Sequence, residues 1–283
     1  MSTASHVSYS HGASADALLG ETIGANLHRV AAAHADAEAM VDVPSGRRWT
    51  YAQLDADSDA VALGLIATGI DKGDRVGIWA PNCAEWVLAQ YGAAKAGAIL
   101  VNINPAYRGH ELAYVLRQSG IRLLISAEGF KTSDYRGMID EVRADLPGLE
   151  RVVYIGTTDW DQMVAAGASA GPAALAQREA ALAFDDPINI QYTSGTTGFP
   201  KGATLSHHNI LNNGYFVAEG CGYTAADRVC VPVPFYHCFG MVMGNLGCTT
   251  HGACIVIPAA GFDPAATLAA VQAERCTSLY GVP

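Results

Sequence analysis

The sequence predicts an α/β protein built around a parallel sheet. From residue 76 to residue 155, short apolar runs alternate with segments of helical length, which is the pattern of repeated strand–helix–strand units. The chain has 283 residues, of which 50% are hydrophobic and 16% are charged, so it carries enough apolar material for a large buried core. Disordered chains have few apolar and many charged residues, and this composition excludes that class.

The first clear helix begins at a capping box. Thr50 and Gln53 have the spacing of an N-cap hydroxyl and the amide that reaches back to it, which together satisfy two free main-chain donors at a helix start. Apolar residues then recur on one helical face, and Gly69 provides a C-terminal stop. We therefore predict an amphipathic helix over residues 51–68.

Strands and helices are then predicted in alternation. Residues 165–183 are the exception, because they are dominated by alanine with two glycines and a proline, and we expect a poorly packed helix or a connector there. The predicted strands are residues 76–80, 98–103, 122–126, 152–155 and 188–193, and the predicted helices are residues 84–95, 110–119 and 134–145.

The charge and the N-terminus exclude several classes of protein. The formal net charge is -10 and the pI about 5.2, so no general positive field attracts nucleic acid or an acidic membrane surface. Residues 1–20 read as a polar leader without the apolar run of a secretory signal. The sequence contains no uninterrupted apolar stretch of about 18 residues, so no membrane span is predicted. The seven cysteines lie in apolar surroundings, which favours reduced thiols and a cytoplasmic protein.

The most informative stretch follows the last predicted strand. Residues 192–202 read YTSGTTGFPKG. Glycines let the backbone approach a ligand, hydroxyls donate to phosphate oxygens, and a lysine adds a positive charge. Because a strand enters this stretch and a single lysine ends it, we predict a polyphosphate-binding loop rather than a mobile surface loop. The contributing residues are Thr193, Ser194, Gly195, Thr196, Thr197, Gly198, Lys201 and Gly202.

This loop differs from the P-loop of kinases and GTPases. In that motif the lysine follows a glycine, and the next residue is a serine or threonine that holds magnesium. Here Lys201 follows Pro200 and precedes Gly202. The sequence therefore does not fit the P-loop motif.

The stretch TSGTTGFPKG closely resembles the phosphate-loop signature of the adenylate-forming acyl-CoA synthetases, a family that also contains luciferases and peptide-synthetase adenylation domains. The resemblance runs from about residue 21 onward and includes PVPFYHCFGM. It implies two stacked α/β sheets, with residues 76–206 forming the first and residues 21–75 plus 207–283 forming part of the second. In the family the large domain is longer and a small C-terminal domain follows, so we expect a truncated chain with an incomplete second sheet.

The resemblance also implies a two-step reaction. A carboxylate attacks the α-phosphate of ATP, giving an acyl-adenylate and pyrophosphate, and a thiol, usually that of CoA, then displaces AMP. Thr193 would be a Mg²⁺ ligand, residues 194–198 would cradle the β- and γ-phosphates, and Lys201 would stabilise the departing pyrophosphate. These positively charged and hydrogen-bonding groups are needed because the negatively charged carboxylate must approach the negatively charged phosphates of ATP.

A second stretch, residues 234–240, is expected to hold the acid. The resemblance puts His237 beside the carboxylate and the adenylate, where an imidazole can donate a hydrogen bond. The alternative is a histidine bonded within the core. Glycines spaced along a helix leave a groove for an alkyl chain, or they only permit close packing. The expected substrate-binding residues are Tyr236, His237, Gly240, Met241 and Gly244, with Phe235 and Phe239 as either pocket walls or core residues.

These features together predict an ATP-dependent synthetase that activates a medium- or long-chain fatty acid, with ATP, Mg²⁺ and CoA as cofactors or co-substrates. An aryl-acid ligase, an adenylation domain that feeds a carrier protein, and a nucleotide-binding module without catalysis remain alternatives. We expect the 283-residue chain alone to be inactive and to bind ATP weakly. Apolar surface left exposed would favour a homo-oligomer.

Overall fold

A computed structural model describes residues 16–193 and 200–282. The strands are β1 (Glu38–Asp42), β2 (Arg47–Thr50), β3 (Arg75–Trp79), β4 (Ile99–Asn102), β5 (Ile121–Ser126), β6 (Gly129–Phe130), β7 (Ser133–Asp134), β8 (Arg151–Tyr154), β9 (Pro187–Tyr192), β10 (Gly202–Ser206), β11 (Arg228–Cys230), β12 (Cys254–Ile257) and β13 (Ser278–Leu279). The α-helices are α1 (Ile23–Ala33), α2 (Tyr51–Ala67), α3 (Ala84–Ala96), α4 (Gly109–Ser119), α5 (Tyr135–Arg143), α6 (Thr158–Ala170), α7 (Pro172–Ala180), α8 (His207–Cys221), α9 (Gly247–Thr250) and α10 (Pro264–Ala273), and a π-helix spans Phe239–Leu246.

One sheet has six strands in the order β10-β9-β4-β3-β5-β8. All neighbours are parallel except β9 and β10, which form an antiparallel pair. The five strands predicted from apolar runs are β3, β4, β5, β8 and β9, each within one residue of the expected bounds. The predicted parallel α/β sheet is confirmed.

The other sheet has five strands in the order β13-β11-β12-β1-β2. Its neighbours are parallel except β1 and β2. Helix α3 is buried along its whole length and contacts β1 of this sheet as well as β3 and β4 of the six-stranded sheet. The two sheets thus form separate layers that share this central helix, as expected for the fold class.

The predicted capping box opens α2. Gln53 N donates to the Thr50 hydroxyl at 3.3 Å, and Thr50 N donates to Gln53 Oε1 at 2.9 Å. The helix ends at Ala67, one residue before the predicted end. Its apolar residues, including Leu54, Val61 and Leu65, are fully or almost fully buried.

For residues 165–183 we predicted a poorly packed helix or a connector; the segment is mostly helical, and the expected poor packing was wrong. This segment belongs to α6 and α7, and α6 packs closely along α2. A Cβ added at Gly64 would lie 2.5 Å from Met163 O, and one added at Gly167 would lie 2.8 Å from Gly64 N. The two glycines therefore let the helix backbones approach, and the small residues that suggested weak packing are the ones that permit it.

Two further findings concern the described part of the chain. Within residues 16–193 and 200–282, no helix is both long and apolar enough to cross a membrane. All seven cysteines lie in those ranges and are free.

Candidate active site

Two neighbouring strands of the six-stranded sheet end beside one cavity. Strands β4 and β9 are parallel and end at Asn102 and Tyr192, and ligands of α/β sheets bind at such carboxyl ends. The loop between Cys230 and Phe239 supplies the facing wall. We call this cavity of about 540 Å³ the strand-end pocket; its lining residues are Asn102, Asn104, Tyr107, Gln191, Tyr192, Thr193, Pro200, Tyr236 and His237.

The predicted phosphate loop begins and ends on the antiparallel pair β9 and β10. Thr193 N donates to Lys201 O at 3.0 Å, and Tyr114 Oη donates to Pro200 O at 3.1 Å. The side chains of Thr193 and Lys201 are exposed. The two stems of the loop are therefore held opposite each other, and Thr193 faces the strand-end pocket. The other predicted loop residues, Ser194, Gly195, Thr196, Thr197 and Gly198, lie outside the described residues.

His237 lies across the strand-end pocket from this loop, and its side chain is exposed rather than buried in the core. Phe239 N donates to His237 Nδ1 at 3.1 Å. An Nδ1 that accepts this bond carries no proton, so the neutral ring holds its proton on Nε2. Nε2–H is thus the group with which this ring can donate to an anion.

The chemistry of the pocket wall suits an anionic ligand. Burial raises the pKa of Tyr107, and burial raises the pKa of Tyr192 to about 12, so both phenols stay protonated at neutral pH. The remaining described lining residues contribute amides, a third tyrosine, a threonine, a proline and the imidazole, without a carboxylate. Hydrogen-bond donors without opposing negative charge are what a phosphate or a carboxylate requires.

Sequence reasoning missed a set of buried amides at the pocket wall, of which Asn102 and Gln191 line the pocket. We call Asn102, Asn189 and Gln191 the amide cluster. Gln191 Nε2 donates to Tyr236 O at 2.7 Å, and Asn102 Nδ2 donates to the same oxygen at 3.1 Å. Asn189 Nδ2 donates to Asn102 Oδ1 at 3.0 Å. The available signal was the polar residues at alternate positions 189, 191 and 193 of an otherwise apolar strand, which put three polar side chains on one face.

The glycines that follow His237 are closely packed. A Cβ added at Gly240 would lie 2.4 Å from Pro234 O, and one added at Gly244 would lie 2.7 Å from Val231 Cγ1. Met241 is fully buried, and its sulfur accepts from Asn102 Nδ2 at 3.2 Å. Close packing thus accounts for both glycines, and neither they nor Met241 line the strand-end pocket. Their role in binding the acyl chain stays a prediction.

The segment after His237 is a π-helix rather than an ordinary helix. Gln90 Nε2 donates to Met241 O at 3.1 Å and Tyr91 Oη donates to Asn245 O at 3.4 Å. These two side chains come from α3, so the central helix compensates for the altered hydrogen bonding of the π-helix. Short π-helical segments are frequent at functional sites.

A second cavity adjoins the first and shares Asn104 and Tyr236 with it. This adjoining pocket of about 350 Å³ is lined by aromatic and proline side chains together with two cationic residues, Arg108 and Lys131. The side chain of Arg108 is anchored, since its Nη1 donates to Ser133 Oγ at 2.7 Å. A ligand with both an apolar part and anionic groups would fit these walls.

Comparisons with known proteins identify the family of the chain. The model of the AMP-binding enzyme family matches residues 27–283. The mitochondrial medium-chain acyl-CoA ligase ACSF2 of Danio rerio is 40% identical over 98% of this chain and 49% of that protein. The acyl-CoA ligase sidI of Aspergillus fumigatus is 39% identical over 93% of this chain and 46% of that protein. The chain thus spans about half the length of these curated relatives.

Solved structures show the same fold. The apo structure of MbtA from Mycobacterium smegmatis superimposes with a TM-score of 0.83 at 30% identity, over 93% of this chain and 48% of that one. The family match covers nearly the whole sequence and includes both the phosphate loop and the His237 segment. The chain therefore belongs to the family of AMP-binding enzymes, and its relatives include acyl-CoA ligases.

Proposed function

We propose that the full-length protein activates a carboxylic acid with ATP, forms an acyl-adenylate and pyrophosphate, and transfers the acyl group to CoA. One observation carries this proposal: Thr193, at the start of the phosphate loop, and His237 line the same cavity. The nucleotide phosphates and the acid would meet between them. Similarity to acyl-CoA ligases supports the reaction class.

The chemical difficulty of the first step is that a carboxylate must approach a phosphate. In our proposal the Nε2–H of His237 donates to the carboxylate and orients the attacking oxygen toward the α-phosphate. Residues 194–198 hold the β- and γ-phosphates, and Lys201 stabilises the charge that develops on pyrophosphate as it leaves. The uncharged donors of the pocket wall add to this stabilisation without needing to reorganise.

In this scheme magnesium enters the site bound to the phosphates of ATP. Among residues 16–193 and 200–282, no group of three or more His, Cys, Asp or Glu side chains is arranged to hold a metal. Mg²⁺ commonly keeps several waters and binds substrate phosphates with only one or two protein ligands. We propose that the Thr193 hydroxyl is such a ligand when MgATP binds.

The adjoining pocket supports the second half of the proposal. CoA combines an uncharged arm with anionic phosphates, and the pocket combines apolar walls with Arg108 and Lys131. Because the two pockets share Tyr236 and Asn104, a thiol that enters from the adjoining pocket would arrive beside the acyl-adenylate. We therefore propose this pocket as the approach of the thiol.

For the acid we propose a medium- or long-chain fatty acid, in line with the name of the ACSF2 relative. The experiment is pyrophosphate exchange into ATP by the full-length protein, measured with fatty acids of graded length and with aryl acids. Exchange that depends on a fatty acid, followed by thioester formation with CoA, is the expected result. Exchange with aryl acids only would replace the proposed substrate class, and production of ADP and phosphate would overturn the reaction.

A further inference from the structure

The main-chain oxygen of Tyr236 receives two side-chain hydrogen bonds. Gln191 Nε2 donates at 2.7 Å from strand β9, and Asn102 Nδ2 donates at 3.1 Å from strand β4. Both donors are buried, with 8% and 1% of their surface exposed. The peptide unit that joins Tyr236 to His237 is therefore fixed to the edge of the six-stranded sheet by two neighbouring strands.

Gln191 also occupies a special position in the sequence. It precedes Thr193 by two residues on the strand that leads into the phosphate loop, so both side chains lie on the same face of the strand. One side chain thus joins the loop that carries the imidazole to the strand that carries the phosphate loop. This bond is one direct link between the His237 loop and the strand that leads to Thr193.

The orientation of Gln191 is itself determined. Its Oε1 accepts from Asn102 Nδ2 at 3.3 Å and from Cys238 Sγ at 3.5 Å. Asn102 in turn accepts from Asn189 Nδ2 at 3.0 Å. A buried amide whose donor and acceptor are both engaged holds one rotamer, and such a network makes its neighbours rigid.

The imidazole depends on this anchoring. The described contacts of the exposed His237 ring include a single hydrogen bond, from Phe239 N, two residues further along the chain at the start of the π-helix. The ring position is thus set by its own main chain. A misplacement of about 1 Å at a reacting group can cost about 100-fold in rate.

We propose that Gln191 and Asn102 are positioning residues, which hold the Tyr236–His237 peptide so that the imidazole meets the acid at the correct distance from the phosphate loop. This proposal rests on the proposed function. Both amides also line the strand-end pocket, but the role proposed here is exerted through His237 rather than on the reacting atoms.

The test uses Gln191→Met in the full-length protein, because methionine has a similar length and cannot donate to Tyr236 O. We expect kcat for adenylate formation to fall about 10- to 100-fold, with little change in the KM for ATP. Gln191→Leu, which also removes the donor and adds no charge to the pocket wall, should behave in the same way and serves if the methionine variant does not fold. Asn212→Leu is the matched control, because Asn212 is an equally buried amide that donates to Leu19 O at 3.1 Å, away from the pocket. The folded fraction of Asn212→Leu should have the same kcat as the wild-type protein.

A double-mutant cycle separates positioning from a general structural effect. If Gln191 acts through the imidazole, Gln191→Met should lower kcat less than about 3-fold in a His237→Ala background. An equal loss in both backgrounds would overturn the proposal.

A measurement that does not depend on catalysis separates the test of the positioning role from the test of the proposed function. Diethyl pyrocarbonate modifies exposed imidazoles, and mass spectrometry can follow His237 alone. We expect the modification rate of His237 to change at least about 3-fold in Gln191→Met and to stay unchanged in Asn212→Leu. An unchanged rate in both variants would contradict the positioning role, even if the wild-type protein forms acyl-adenylate. A wild-type protein without this activity would instead remove the proposed function.

Discussion

The main-chain N–H of Thr193 donates to the carbonyl oxygen of Lys201 at 3.0 Å. This bond extends the antiparallel pairing of β9 and β10 by one step and brings together the two residues that flank the phosphate loop. Both side chains remain exposed. Residues that are exposed and yet held by a paired backbone are suited to contact a ligand without supporting the core.

The first prediction concerns these two side chains. Thr193→Ala and Lys201→Ala in the full-length protein should each lower the rate of pyrophosphate exchange about 100-fold, because each removes a preorganised partner of phosphate charge. The melting temperature should change little. Thr204→Ala is the matched control, since Thr204 is exposed on β10 and does not line the strand-end pocket. Wild-type exchange rates in both loop variants would show that the loop has no role in catalysis.

The second prediction tests close packing in the π-helix. An alanine Cβ at position 240 would lie 2.4 Å from Pro234 O, and the backbone has to move to admit it. Gly240→Ala should therefore destabilise the protein by about 1–3 kcal/mol. Gly220 has no atom within 4 Å of an added Cβ and lies in helix α8, so Gly220→Ala should be neutral or stabilise by up to about 1 kcal/mol. Thermal unfolding of both variants measures the difference, and equal melting temperatures would refute it.

The third prediction concerns a buried lysine in the central helix. Lys95 is fully buried and contacts Asp55 Oδ1 at 2.5 Å together with Asp59. Lys95→Met would remove the lysine cation from both carboxylates, leaving Asp55 with its His28 contact, and should destabilise the protein by about 3–5 kcal/mol. Lys72, which pairs with Asp186 and is 41% exposed, is the control: Lys72→Met should cost less than about 1 kcal/mol. Denaturant midpoints measure the stability of both variants. Similar losses of stability in Lys95→Met and Lys72→Met would contradict this prediction.

The fourth prediction is a pH dependence of stability. Burial lowers the pKa of His207 to about 4, against the opposing effect of Asp186, while the ordinary pKa in an unfolded chain is about 6.5. Between these values the unfolded chain binds a proton that the folded protein does not. Stability is therefore fully present above pH about 6.5 and falls as the pH drops toward 4, by at most about 3 kcal/mol.

The comparison variant for this prediction is His207→Asn. His207 Nδ1 accepts from Ile23 N at 3.1 Å, and an asparagine oxygen can replace that acceptor without titrating. Urea unfolding at pH 7.5, 6 and 5 should show a flatter profile for the variant than for the wild type. Parallel profiles would mean that His207 is not responsible.

The elements that could be predicted from the sequence are those determined by neighbouring residues. Strands β3, β4, β5, β8 and β9 each follow from a short apolar run, and the start of α2 follows from the Thr50–Gln53 capping box. The contact between α6 and α2 could not be predicted in this way, because it is made by Gly64, Gly167 and backbone atoms rather than by large apolar side chains.

The site shows the same division. The phosphate loop and His237 have recognisable local sequences, whereas the amide cluster exists only once β4 and β9 pair. Asn189 and Gln191 look like isolated polar residues until that pairing supplies their partners. The π-helix likewise depends on Gln90 and Tyr91 of α3, about 150 residues away in the chain.

The most direct test of the central claim is the fate of a labelled oxygen. The full-length protein is supplied with ATP, CoA and a fatty acid that carries ¹⁸O in its carboxylate, and the products are analysed by mass spectrometry. Attack of the carboxylate on the α-phosphate, followed by thiolysis, leaves one acid oxygen on AMP. We predict ¹⁸O in AMP and none in pyrophosphate. Label in inorganic phosphate together with ADP would contradict adenylate formation.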